Sequence, residues 1–251
     1  MKDNIYYRLV EELDYLGMDA MASKLERMLD EPSTFQMPPL AVLEAVVDEG
    51  FISKKEKTAQ RLLKSGRLAG RMGDIDSLHS KNGRLYNEPV LEQVKALAFI
   101  SNGKNVCVFG ASNAGKSFLL SAIGREACLR GSRCLYTDYM MLMDELVTLR
   151  VSDVEAYKKK LRKYSSIPIL IIDDFLSEDG TPEVVSVLFQ LVKQRDEKHL
   201  PTLIGSQYDP GEWGQLLCGS QLRKGEADSI RRRLTGSAYI VEISLEGKQE
   251  M

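Results

Sequence analysis

The sequence predicts an α/β fold with a mostly parallel sheet, preceded by a small all-helical N-terminal domain, and three observations carry that prediction. Residues 110–117 read Gly-Ala-Ser-Asn-Ala-Gly-Lys-Ser, which fits G-x-x-x-x-G-K-[ST] at every specified position. Residues 167–172, Ile-Pro-Ile-Leu-Ile-Ile, form a continuous apolar run ending in Asp173 and Asp174, the pattern of a strand buried on both faces. Upstream of both, Ile5, Leu9, Leu13 and Leu16 and then Met18, Met21, Ala22, Leu25, Met28 and Leu29 recur at helical spacing.

The 110–117 stretch has the setting of a phosphate-binding loop. Residues 105–109 are a short apolar β-type run, and residues 118–130 read as a helix. Gly110 and Gly115 let the chain curl around a polyphosphate at the positive end of a helix dipole, so the loop commits the chain to a nucleotide. Gly110, Ala111, Ser112, Asn113, Ala114, Gly115, Lys116, Ser117 and Phe118 are the expected nucleotide contacts. Lys116 is expected to reach the β- and γ-phosphates of ATP, and Ser117 to ligate Mg²⁺. Asp173 would complete the magnesium shell, and Asp174 would sit where a base polarises the attacking water or, alternatively, would cap the following turn.

Composition narrows the alternatives. The chain has 251 residues, with 34 Lys and Arg against 36 Asp and Glu, so nucleic-acid binding would have to rest on local patches rather than on overall charge. Cys107, Cys128, Cys134 and Cys218 lack C-x-x-C spacing and read as reduced thiols of a cytoplasmic protein. With His79 and His199 as its two histidines, the chain offers little for a zinc site or a histidine-based triad. There is no secretory signal pattern and no apolar run long enough to span a bilayer, so no membrane partner is expected. No repeat or low-complexity tract stands out.

In chain order, residues 1–70 are expected as a helical DNA-binding and assembly domain, 71–100 as a linker with a lead-in helix, and 101–251 as the nucleotide domain. Pro38 and Pro39 open a helix with Leu40, Leu43, Val46, Val47 and Phe51 on an apolar face. Its basic end carries Lys54, Lys55, Lys57, Arg61, Lys64, Arg67 and Arg71, either a DNA-facing stripe or a solvated helix face. Gly66, Gly70 and Gly73 then break the helix. A helix from Pro89 to Phe99 leads to the first strand. After the loop's helix come a strand at 132–137, Asp138 as an N-cap and a helix over 139–149. Lys158 and Lys159 belong to a second basic cluster, again DNA-facing or merely exposed. Beyond the aspartates, Pro182 starts a helix that ends near Arg195, and residues 200–207 form a buried strand with Gln207 at its polar tip. Gln207 is a candidate sensor of the γ-phosphate or a turn cap. Trp213 reads as a packing anchor. Arg231, Arg232 and Arg233 lie in succession on a short helix, where one could reach a neighbouring subunit's nucleotide. Residues 238–243 form the last strand.

With these residues in view, the chain resembles the IstB family, the AAA+ ATPase partners of insertion-sequence transposases, which are related to DnaC helicase loaders. The likeness rests on Leu16-Gly17-Met18, the basic helix, the phosphate loop, Leu170-Ile-Ile-Asp-Asp174, Leu188-Phe-Gln, Ser206-Gln207 followed by Glu212-Trp213, and Asp228-Ser-Ile-Arg-Arg-Arg233-Leu. It implies an AAA+ P-loop NTPase that uses ATP and Mg²⁺, assembles as a homo-oligomer on double-stranded DNA, bends it and delivers it to an IstA-type transposase. Arg233 matches the arginine of the family's Asp-Arg pair, whereas Arg232 replaces the aspartate. Many relatives carry Glu where Asp174 stands, and the shorter side chain predicts slow hydrolysis. The family often closes with Gly-Glu-Ser-x-Arg, but this chain closes with Gly-Lys-Gln-Glu-Met, so a reduced C-terminal lid is expected. A DnaC-like helicase loader is the alternative reading.

Overall fold

The computed structural model describes residues 5–80, 83–178, 180–217 and 224–245. Cys218 and the chain end at residues 247–251 lie outside the described residues. The chain forms two compact units, Met1–Arg61 and Leu62–Met251.

The first unit holds α1 (Ile5–Tyr15), α2 (Asp19–Leu29), a 3₁₀ turn (Pro32–Gln36) and most of α3 (Pro39–Ser65). The helices α1 and α2 pack against each other, as their matching apolar spacing anticipates. Val10, Ala22, Met28 and Val46 are buried in this unit.

The second unit is a six-stranded sheet with helices on both faces. Its strands are β1 (Arg84–Tyr86), β2 (Val106–Gly110), β3 (Cys134–Asp138), β4 (Ile169–Asp173), β5 (Thr202–Ser206) and β6 (Tyr239–Leu245), in spatial order β1-β6-β2-β5-β4-β3. Every pairing is parallel except that of β1 with β6. The intervening helices are α4 (Glu88–Lys95), α5 (Ala98–Asn102), α6 (Lys116–Leu129), α7 (Tyr139–Ser152), α8 (Val154–Ser166), α9 (Pro182–Asp196), α10 (Trp213–Leu217) and α11 (Lys224–Thr235). Strand alternation divides the core in two. Val106, Val108, Tyr136, Ile171 and Val241 pack toward α4 and α6. Cys107, Leu135, Leu170, Ile172 and Ile204 pack toward α7, α8, α9 and α11.

The unit boundary falls nine residues before the one expected from the glycines, and the reason is packing. Leu62, Leu63, Leu68 and Leu78 are buried in the same cluster as α6. The N–H of Tyr136 donates to the Gly66 carbonyl at 2.9 Å, and Arg125 donates to the Leu68 carbonyl at 3.2 Å. A Cβ at Gly66 would stand 2.7 Å from the Cys134 carbonyl oxygen, so the glycine serves close approach rather than flexibility. The segment expected as a linker also supplies β1 and the buried Leu91, Val94 and Phe99. The expected 89–99 helix is two, α4 and α5, separated by Leu97 at φ 60°.

Arg195 ties the lower part of this unit together. It is buried, and its guanidinium donates to the carbonyls of Tyr164 (2.8 Å), Ile167 (2.9 Å) and Pro201 (2.6 Å) and to Thr202 Oγ1 (2.9 Å). The end of α8 is thereby pinned to the start of β5 by a cation at a helix C-terminus. Among the described residues, no helix is long and apolar enough to cross a membrane.

Candidate nucleotide-binding site

The loop leaves β2 at Gly110, whose φ is +150°; a Cβ there would stand 2.4 Å from the Ile243 carbonyl oxygen of β6. Asn113 (φ 61°) and Gly115 (φ 110°) complete the left-handed positions that fold the loop over the start of α6. The 14-residue helix α6 begins at Lys116, so its unpaired first N–H groups and its dipole converge on this concavity. The Lys116 ammonium spans the loop, donating to the carbonyls of Gly110 and Ala111, both at 2.9 Å. Burial pulls its pKa below the ordinary lysine value, while the carboxylates of Asp174 and Asp173 act in the opposite sense. Ser117 and Phe118 follow on the exposed side of the first turn.

Asp173 ends β4 and is buried, with 5% of its surface exposed. Its Oδ2 accepts a hydrogen bond from the Tyr136 phenol, and its Oδ1 is buried without a hydrogen-bond partner among the described residues. An orphaned carboxylate oxygen of this kind costs about 1–3 kcal/mol unless something supplies the missing interaction. Among the described residues, no group of three or more His, Cys, Asp or Glu is placed to hold a metal unaided. A hard cation here would therefore draw on Asp173, the Ser117 hydroxyl and oxygens of the nucleotide itself, a donor set that suits Mg²⁺.

Asp174 is exposed, adopts φ 51°, and its carboxylate makes no hydrogen bond with a described residue, so the turn-cap role has no contact behind it. Partial desolvation by its neighbours raises its pKa, with Asp173 and Asp138 adding to the rise and Lys116 opposing it. The backbone here is held from behind. The Phe175 N–H donates to the Gly205 carbonyl at 2.7 Å, and the Phe175 ring meets Trp213 edge-on at 4.8 Å and Tyr139 at 5.1 Å. Trp213 is buried and donates to the Tyr208 carbonyl, the packing role its segment suggested. Ser206 Oγ donates to the Phe175 carbonyl, joining the ends of β4 and β5, while the exposed Gln207 follows at the tip of β5. Because β5 lies between β2 and β4, that tip stands between the loop and the aspartates.

Beside the loop opens a cavity of about 270 Å³ lined by Ser77, Leu78, His79, Arg84, Tyr86, Gly115 and Phe118. Only Gly115 and Phe118 of these were legible as site residues. The others come from the segment that reads as a linker, and Arg84–Tyr86 is too short to announce itself as a strand.

The other candidates fall elsewhere. Asn105, just ahead of β2, donates to the Arg233 carbonyl at 2.9 Å and accepts from the Thr202 N–H at the start of β5. The Arg233 backbone thus lies at the end of β2 opposite the phosphate loop, a strand length of about 16 Å at the rise of five residues. Its guanidinium pairs with Asp196 at 3.3 Å, and Arg231 and Arg232 both pair with Asp228, at 2.9 and 3.0 Å. Lys54, Lys55, Lys57, Arg61 and Lys64 are exposed on α3, Lys57 facing Asp19 at 3.7 Å. Lys158 and Lys159 are exposed on α8, Lys158 pairing with Glu155. Arg71 does not project freely with the basic set: its guanidinium lies 3.7 Å from the centroid of the Tyr136 ring. The charge of Arg67 acts to lower the pKa of both Glu145 and Tyr164.

A sheet of this order with a phosphate loop at the end of β2 and buried aspartate at the end of β4 defines an AAA+-type P-loop fold. The chain belongs to the IstB-like ATP binding protein family, whose profile matches residues 11–249. Among its relatives, an ATP-binding protein of insertion sequence IS5376 from Geobacillus stearothermophilus is 29% identical, over 92% of this chain and 93% of that protein. A counterpart of insertion sequence IS232 from Bacillus thuringiensis is 23% identical over 96% and 93%. Among solved structures, DnaI superposes with a TM-score of 0.58 at 23% identity, covering 69% of this chain and 92% of that one. AMPPCP-bound DnaA from Aquifex aeolicus superposes with a TM-score of 0.56 at 24% identity, covering 70% and 51%. These two likenesses establish the fold.

Proposed function

We propose that this chain is an ATP-dependent helper of transposition: it binds Mg²⁺-ATP, assembles with copies of itself on duplex DNA, bends that DNA and presents it to an IstA-type transposase in the cytoplasm. The observation that carries the reading is the placement of the Arg233 backbone at the ends of β2 and β5 remote from its own phosphate loop. A cation there has no use for its own subunit's nucleotide and suits the nucleotide of an adjacent copy. The family assignment and the insertion-sequence names of the relatives support the transposition context.

In this mechanism Lys116 leaves the Gly110 and Ala111 carbonyls for the β- and γ-phosphates, while the loop N–H groups cradle them. Ser117 and Asp173 would hold magnesium, which when bound neutralises charge on the phosphates. Asp174 accepts a proton from the attacking water, and Gln207 orients toward the γ-phosphate. Hydrolysis is slow in the free protein, is stimulated by DNA or the partner, and releases the assembly. Because ATP joins neighbouring copies, nucleotide occupancy and DNA assembly are thermodynamically linked. Basic residues of α3 and α8 contact phosphates rather than base edges, so little sequence is read directly.

Electron microscopy with duplex DNA tests the proposal: ordered assemblies with ATP, none with ADP and none with Lys116→Ala. Protein that stays monomeric on DNA under every nucleotide condition refutes it. The helicase-loader reading draws on the fold shared with DnaI and the DnaC helicase loader. It is favoured instead if the full chain captures a replicative helicase and prefers single-stranded DNA.

A further inference from the structure

Asp173 sits between two neighbouring strands that treat its oxygens differently. On the β3 side, Tyr136 is registered against Ile171, so it shares a face with Asp173, two residues further along β4, and its phenol reaches Oδ2. On the β5 side, Oδ1 faces Gly205, where a Cβ would stand only 2.5 Å away. The sheet order places β2 and its phosphate loop beyond β5. The bonded oxygen therefore points away from the loop, and the orphaned one points toward it. Arg71 covers the Tyr136 ring face at 3.7 Å, and the Tyr136 N–H is anchored to the Gly66 carbonyl.

We propose that Tyr136 is a positioning residue for the metal–nucleotide complex: its phenol fixes the Asp173 carboxylate so that Oδ1 faces the phosphate loop, and Arg71, stacked on the ring, holds the phenol in place. This deepens the ATP–magnesium reading and rests on it. A phenol is suited to the task because it is long enough to cross from β3, rigid over its length and uncharged at neutral pH. Phenylalanine keeps the packing and removes only the hydroxyl. Partners of this kind, acting through a ligand, change metal affinity about 10- to 100-fold when removed.

The test is a Mn²⁺ titration of the full chain with a non-hydrolysable ATP analogue, free Mn²⁺ being read by electron paramagnetic resonance. The parent protein is expected to bind Mn²⁺ with the analogue. Tyr136→Phe should raise the half-saturating Mn²⁺ concentration roughly tenfold, while analogue affinity in EDTA stays that of the parent and circular dichroism shows the variant folded at the titration temperature. Arg71→Ala should shift it in the same direction by a smaller factor. Half-saturation in Tyr136→Phe within twofold of the parent, or lower than the parent, overturns the proposal. Failure of the parent itself to bind Mn²⁺ with the analogue overturns the ATP–magnesium reading, so the two failures are distinguishable.

Discussion

The Asn105 side-chain amide donates to the backbone carbonyl of Arg233 at 2.9 Å while its oxygen accepts from the Thr202 N–H at 2.8 Å, which fixes the Arg233 backbone at the strand ends away from the loop. If Arg233 serves a neighbour's nucleotide, Arg233→Ala will leave ATP binding by the free subunit within about twofold and reduce DNA-stimulated hydrolysis by at least 10²-fold, toward the range known for such arginines. Mixing Arg233→Ala with Lys116→Ala subunits should restore part of the activity, because an intact loop then faces an intact arginine. Phosphate release from each protein and from the mixture decides the matter; no recovery in mixed assemblies that do form counts against a role in trans. Within its own subunit the Arg233 side chain pairs with Asp196, bonds Ser229 and lies over the Phe189 ring, so melting curves of Arg233→Ala run beside the assay separate lost stability from lost catalysis.

Asp174 predicts a stability change opposite to its effect on activity. Partial desolvation and the neighbouring Asp173 and Asp138 hold its carboxyl above the ordinary aspartate value, so the folded state disfavours the charged form. That penalty is absent at pH values below the unfolded carboxyl's pKa, grows as pH rises through the folded one, and is complete at neutral pH. Asp174→Asn should raise the melting temperature by on the order of 1 °C at pH 7, and the gain should disappear in acid. Hydrolysis should fall about 10²- to 10⁴-fold with nucleotide binding retained. Melting curves from pH 4 to 8, paired with phosphate release, test both parts.

The parts of this site that sequence exposes are those built from contiguous residues. The loop, the strand before it and the helix after it lie within one short stretch, and the aspartates follow their own apolar run directly. Asp138 capping α7 through the Met141 N–H was equally local. What sequence conceals depends on register between distant strands. Tyr136 meets Asp173 only because β3 and β4 pair as they do, and Arg84 reaches the cavity only because β1 pairs with β6. Gly66 reads as a helix breaker until the Cys134 carbonyl beside it is known, which is why the unit boundary differs from the expected one.

Arg195 should dominate the stability of the second unit. Its guanidinium serves the Tyr164, Ile167 and Pro201 carbonyls from a fully buried position. Replacing it by Leu leaves those acceptors without a donor, at a cost of about 3–5 kcal/mol. For a domain of this size that lowers the melting temperature by roughly 6–20 °C. Lysine, with three donors and no planar fork, should recover only part of the loss. Thermal denaturation followed by circular dichroism measures the series; a Leu variant melting within 2 °C of the parent would show that these carbonyls find other partners.

The basic residues differ in what their removal should do to DNA binding. Lys54, Lys57 and Arg61 are exposed on the last turns of α3, and the Lys57–Asp19 pair is about two-thirds exposed, so little holds that ammonium back from a phosphate. Each phosphate neutralised contributes about 0.9 to the slope of log K against log salt concentration. The triple alanine variant should therefore flatten that slope by about 2 to 3 and weaken binding evenly across sequences. Arg71→Ala should leave the slope unchanged, because its guanidinium is committed to the Tyr136 ring. Fluorescence anisotropy on two unrelated duplexes, from about 50 to 200 mM salt, separates these outcomes. An unchanged slope in the triple variant would move the duplex off α3 and leave the Lys158 and Lys159 surface of α8 as the place to look.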